Sequence, residues 1–279
     1  MDKIVSDQAD GLRRLLARSP TRILAFAGML RGMGVTSVVM NLAAALAQQG
    51  RQVLVLDEHH FAPESITQLW GIQARGSLSD VMSQRMSFEE AAATAPCGVR
   101  VLPALEFTGA FDPQCLQPSQ VVLIDAHLDF AGNLSPLARM AGELVAVLRS
   151  DPTAITATYA GIKRLHYAHA LKQLRFLLNG IGDEESAQRI ALNMAQAGSR
   201  YLGVSLESAG WLHRDGGLVA GRSRQLTVVE AFPASPSAQD ARRIADDMGQ
   251  WPWRPAVAHK PAAAHPQAGQ AQRPASALA

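Results

Sequence analysis

The chain has 279 residues, 48% hydrophobic and 18% charged, with a net charge of +2. That is enough apolar material to bury the core of one large domain. No apolar run approaches the roughly 20 residues of a membrane-spanning helix, and so small a net charge argues neither for nor against nucleic acid. Cys97 and Cys115 show no metal or redox spacing and the chain starts without an apolar leader, so a reduced, cytoplasmic protein is expected.

Residues 1–20 read as a separate element. Asp7 is a helix N-cap candidate, Ala9, Leu12, Leu15 and Leu16 form one apolar stripe, and Arg13, Arg14 and Arg18 face away. Gly11 weakens such a helix by about 1 kcal/mol relative to alanine, and Pro20 closes it. Either this helix packs on its own domain or it orders on a partner; the second reading is preferred on the match described below.

Residues 22–57 carry the most informative pattern, RILAFAGMLRGMGVTSVVMNLAAALAQQGRQVLVLD. An apolar run over 23–27 has the length of a buried strand. Gly28, Gly32 and Gly34 make a turn, and Thr36 opens a helix with Val38, Val39, Leu42, Ala43 and Leu46 at helical spacing. Gly50 stands where a helix ends, and 53–56 is a second buried strand finishing in Asp57. A strand, a glycine-rich turn and a helix within one βαβ unit are the layout of a phosphate-binding loop. A working loop of that kind places a lysine before the Ser/Thr; here the position holds Val35, and Arg31 is the only cation in the loop.

Further strands are expected at 120–125, 144–148 and 176–179, with a last strand inside 201–215 and a closing helix inside 228–248. The alternation predicts an α/β fold, a doubly wound and mostly parallel sheet in a single domain over 21–250, with ligands at the C-terminal strand ends. Residues 251–279, rich in Pro, Ala, Gln and His, read as a disordered tail. Trp251 and Trp253 either cap the core or sit in a membrane interface, with capping preferred.

The loop and its NLAAALAQQGRQVLVLD continuation resemble the MinD/ParA group of deviant P-loop ATPases, whose loop reads GKGGxGKT. DQADGLRRL at 7–15, DPTAITATYAGIKRLH at 151–166 and VVLID at 121–125 resemble the flagellar-number branch of that group, FlhG/FleN, and the similarity spans about residues 6–248. The resemblance implies a nucleotide site of Gly28, Arg31, Gly32, Met33, Gly34, Val35, Thr36 and Ser37, with Asn179 against the adenine. It gives Thr36, Asp57 and Asp125 as ligands of Mg²⁺, Asp125 in the Walker B position, and Asp57 and Asp125 with His59 as catalytic candidates. It gives Asp7, Gln8, Ala9, Leu12 and Arg13 as the contact with the GTPase FlhF, with flagellar basal-body or transcription components as further partners and a homodimer as the assembled form.

Measured against that pattern, Leu30 and Val35 replace both lysines and His59 replaces a water-orienting aspartate. Each lysine–phosphate contact is worth about 1.5–3 kcal/mol. Two losses therefore weaken nucleotide binding by roughly two to four orders of magnitude. ATP with Mg²⁺ is expected to bind weakly at best, which makes the chain a pseudo-ATPase regulator. The alternatives are an active ATPase switch cycling to the inner membrane as a peripheral protein, and a partitioning or cellulose-synthesis regulator, against which the two branch motifs argue. His59 and His127, beside Asp57 and Asp125 at adjacent strand ends, are a metal candidate, weighed against polar residues filling an emptied phosphate space. Arg214, Arg222 and Arg224 read as a solvated face or a contact with an acidic partner or DNA.

Overall fold

A computed structural model describes residues 21–59, 65–105, 107–109 and 121–252. The element at 1–20 with Asp7, Gln8, Ala9, Leu12 and Arg13, together with His60, Cys115 and the tail from Trp253 onward, lies outside the described residues.

The first strand, β1 (Arg22–Gly28), is followed by helix α1 (Val35–Gln48) and strand β2 (Val53–Asp57). Helix α1 begins one residue earlier than the sequence pattern indicates. Its cap is Gly34, which sits in the left-handed region at φ 80° and provides no side-chain oxygen, so Thr36 lies inside the first turn rather than before it. At the other end Gly50, with φ 78°, ends the helix as expected, its amide bonded to the Ala47 carbonyl.

Short helices α2 (Ile66–Leu69), α3 (Leu78–Met82) and α4 (Phe88–Ala91) lead to a hairpin of β3 (Ala93–Thr94) and β4 (Arg100–Pro103). Ser77 with Asp80 and Ser87 with Glu90 form reciprocal capping boxes that start α3 and α4. β5 (Val121–Asp125), β6 (Glu143–Arg149), β7 (Gln173–Ile181) and β8 (Ser205–His213) complete one sheet in the order β3-β4-β2-β5-β1-β6-β7-β8. Every pairing is parallel except β3 with β4. The two-residue edge strand β3 was not separable from its neighbours in the sequence; it folds back on β4 and shields that edge.

Both faces of the sheet are covered. One face packs against α5 (Pro152–His169) and α6 (Glu184–Ala197), with Ile162, Leu165, Ala187 and Met194 buried on Ala25, Ile124 and Phe176. The other packs against α1 and α9 (Pro236–Gln250), with Leu42, Ala45, Ala241 and Ile244 on Leu24, Leu123 and Val145. The expected closing helix is two, α8 (Val228–Ala231) and α9. Pro233 interrupts the run, and Ser235 caps the restart with Pro236 in the first turn.

Trp251 is 9% exposed and belongs to the second core. It caps the domain, as preferred from the sequence, rather than standing in a membrane interface. Among the described residues no helix is long and apolar enough to cross a membrane.

Candidate functional site

The order β2-β5-β1-β6 brings the carboxyl ends of the central strands together under the loop between β1 and α1. Parallel register places Asp57 directly opposite Asp125, and Phe26 opposite Asp125 on the other side. The two aspartates share one sheet face, because equivalent positions on paired parallel strands point the same way. Both are fully buried, at 0% exposure.

Their environments differ. Asp57 accepts hydrogen bonds from two backbone amides, His59 N–H at 2.8 Å and Ile66 N–H at 3.1 Å. Its carboxylate therefore ties the chain leaving β2 to the start of α2. Neither oxygen of Asp125 has a hydrogen-bond partner among the described residues. Burial pushes the Asp125 carboxyl well above the usual carboxylate range, and the facing Asp57 adds to the shift. The Thr36 hydroxyl pulls the other way, close enough to favour the charged form while completing no hydrogen bond.

The loop is built around two glycines. Gly28 ends β1, and a Cβ there would stand 2.9 Å from Val35 Cγ2, so the valine side chain folds back over the start of the loop. Gly34 adopts φ 80°, and a Cβ on it would come within 2.3 Å of Asn179 Nδ2. Asn179 donates that amide to the Met33 carbonyl at 2.9 Å, bracing the loop from the end of β7. In Gly34→Ala the strain and the collision act together, so a loss of about 1–3 kcal/mol is expected in chemical denaturation. An unchanged midpoint would show that the brace is not closed in solution.

The remaining loop residues are arranged around this brace. Met33 is buried, Leu30 is 42% exposed, and Arg31 is exposed. The charge of Arg31 is felt at His127, whose pKa is lowered by burial first and then by His59 and Arg31. Ser37 follows Thr36 in the first turn of α1 and accepts a hydrogen bond from Arg222 Nη2 at 3.4 Å.

His59 and His127 do come together, their rings edge to face with centroids 5.2 Å apart. His59 Nε2 lies 3.3 Å from the Ala126 carbonyl and 4.0 Å from Asp125 Oδ1. The metal expectation nevertheless finds no support, since no group of three or more His, Cys, Asp or Glu among the described residues is placed to hold an ion. Asp57 is directed to backbone amides, and Asp129 closes its own turn on Asn133.

Glu58 is the residue that the sequence reading undervalued. It is 3% exposed and accepts from the His127 amide at 2.8 Å and the Ser135 hydroxyl at 2.6 Å. It thus joins the ends of β2 and β5 to the following loop, and burial raises its pKa. Its position beside Asp57 was the only signal available; its burial depends on tertiary packing.

An implied Mg²⁺–nucleotide fits part of this geometry. The orphaned Asp125 carboxyl beside Thr36 could hold Mg²⁺, whose charge would neutralise phosphate. A left-handed glycine turn into α1 supplies the helix N-terminus that favours anions. The loop itself brings Arg31 as its only cation and no lysine.

No family model matches the chain. It is 29% identical over 257 residues to the antiactivator FleN of Pseudomonas aeruginosa, covering 86% of this chain and 91% of that protein. Among solved structures it resembles the MinD cell division protein of Aquifex aeolicus, with a TM-score of 0.63, 18% identity and coverage of 84% and 100% of the two chains. It also resembles the septum site-determining protein MinD of Pyrococcus horikoshii complexed with Mg-ADP, with a TM-score of 0.60, 20% identity and coverage of 82% and 96%. The solved structures agree on the fold, and over most of both chains the sequence is similar to FleN, which makes this chain similar to the FleN and FlhG branch of the MinD/ParA-type proteins.

Proposed function

We propose that this chain regulates flagellar number as a FleN-type protein acting through protein contacts. Its 1–20 element would engage an FlhF-type GTPase, and its loop would bind Mg²⁺–nucleotide weakly, without useful hydrolysis. The observation that carries the second half is the loop itself. Val35 folds over Gly28 where the resemblance expects a lysine reaching outward, while the frame around it stays intact. His59 stands where a water-orienting aspartate is expected, its amide tied to Asp57. The first half is supported by the antiactivator FleN relative and by Asp7, Gln8, Ala9, Leu12 and Arg13 in the motif.

The test is genetic. Gln8→Ala with Arg13→Ala is expected to change the number of flagella per cell, whereas Val35→Lys or Thr36→Ala leaves it near wild type. The reverse pattern would sink the proposal.

A second reading, an active ATPase switch cycling between cytoplasm and membrane, is favoured by one feature, the unpartnered Asp125 beside Thr36. Calorimetric titration of Mg-ATP separates the two. Micromolar affinity lost in Thr36→Ala would favour the switch, whereas a dissociation constant near millimolar would favour the contact-driven regulator.

A further inference from the structure

We propose that Arg222, outside the loop, is the cation that meets nucleotide phosphate at the amino-terminal end of α1. The assignment rests on the reading above that the loop still holds a nucleotide, and it identifies the charge that a loop without lysine would use.

Arg222 is the last residue of a short helix, α7 (Gly217–Arg222), that follows β8. Its Nη2 lies 3.4 Å from the Ser37 hydroxyl, in the first turn of α1 and one residue from Thr36. The guanidinium thus stands where the positive end of the α1 dipole already favours an anion.

The approach is fixed by several bonds. Asn41, 4% exposed, donates to the Ser37 carbonyl at 2.7 Å and accepts from the Val228 amide at 2.9 Å, fastening the start of α8 to α1. Thr227 and Glu230 cap α8 reciprocally. Between the two helices the chain turns tightly, with the Leu226 amide on the Gly221 carbonyl at 3.0 Å. At the front of α7, Asp215 accepts from the Gly217 amide at 2.7 Å and from the Ser237 hydroxyl at 2.7 Å. A charge delivered by so constrained a segment needs little reordering to bind.

Arg224 lies over the Phe232 ring at 5.2 Å. An independent observation points to a ligand at this end of α1. The fully buried Asp125 carboxyl beside Thr36 lacks any hydrogen-bond partner among the described residues, which fits a cation bound together with the anion.

The experiment is equilibrium titration of Mg-ADP into the full-length protein, comparing wild type with Arg222→Ala, Arg222→Gln and Arg31→Ala. Removing Arg222 by either route is expected to weaken binding about 10- to 100-fold, the loss of one charge-assisted contact to phosphate. Arg31→Ala is expected to have a smaller effect. The glutamine variant preserves hydrogen-bonding capacity without charge, so it decides the matter if the alanine variant fails to fold. Measurable wild-type affinity with no change in either Arg222 variant would overturn the assignment and leave the nucleotide reading standing. No wild-type binding up to millimolar Mg-ADP would overturn both.

Discussion

Replacing Asp125 with asparagine is expected to raise the melting temperature of the nucleotide-free protein and at the same time abolish any Mg²⁺ dependence of nucleotide binding. The carboxyl is fully buried, faces Asp57 across the β2–β5 pairing, and has no hydrogen-bond partner among the described residues. Its pKa is pushed up by burial and by Asp57. A raised folded-state value means the folded protein holds this proton more tightly than the unfolded chain. Stability is therefore greatest below the ordinary carboxylate value, about pH 4, and falls as pH rises through the folded-state value. Asparagine removes that loss. The asparagine amide stays unpartnered but carries no charge; removing the charge from this site is expected to recover about 1–3 kcal/mol, and a domain of this size shifts by about 2–4 °C per kcal/mol, so the gain at pH 7 is about 2–12 °C. It should shrink as pH falls towards 4. A lower melting temperature for Asp125→Asn at pH 7, measured without nucleotide, would mean that the carboxylate is compensated in solution. Stability gained where a charge is removed, with binding lost, marks Asp125 as a residue retained for a ligand rather than for the fold.

The parts of this molecule that the sequence made legible are those set by local periodicity. The runs at 23–27 and 53–56 have no polar interruption and the length of buried strands, and the spacing of Leu42, Ala43 and Leu46 reads as a helix, which the fold buries continuously from Val38 to Leu46. Parallel order followed from their alternation with helices. What stayed hidden depends on contacts distant in the chain. Asp57 and Asp125 look equivalent in sequence, each ending an apolar strand, yet only the folded register reveals that backbone amides satisfy one and leave the other without a hydrogen-bond partner among the described residues. Asn179 was read as a base contact; the structure directs its amide to the Met33 carbonyl, a bond across 146 positions that no spacing rule encodes. Arg222 looked like one of three solvated arginines until Asn41 and Val228 fixed its segment against α1. His59 and His127 stand at neighbouring strand ends, as expected, but among the described residues no group of three or more possible ligands is placed to hold an ion.

Arg175→Ala is expected to be the most damaging single change to stability, at about 3–5 kcal/mol, because it strands a buried partner charge. Arg175 is 5% exposed on β7; its Nε lies 3.6 Å from Glu143, itself 7% exposed on β6, and its Nη2 lies 2.7 Å from Glu207 on β8. The guanidinium also lies over the Trp251 ring at 4.2 Å, and the Trp251 carbonyl accepts a hydrogen bond from Arg22 at the start of β1. One cation thus joins three strands to the end of α9. At about 2–4 °C per kcal/mol the melting temperature should fall by about 6–20 °C. Combining Arg175→Met with Glu143→Gln should recover most of that, since the buried charge is then gone from both sides. A drop of under 2 °C in the single variant would refute the clamp. Its location also bears on function. Arg22 and Trp251 lie at the end of the sheet where β1 begins, whereas Gly28 and the loop lie where β1 finishes. Thr21 and Trp251 thus both lie at the clamp, at the end of the sheet opposite the nucleotide loop. The same geometry predicts that Arg175→Ala, at a temperature where the protein stays folded, leaves Mg-ADP affinity unchanged, while Arg222→Ala weakens that affinity and leaves the clamp intact.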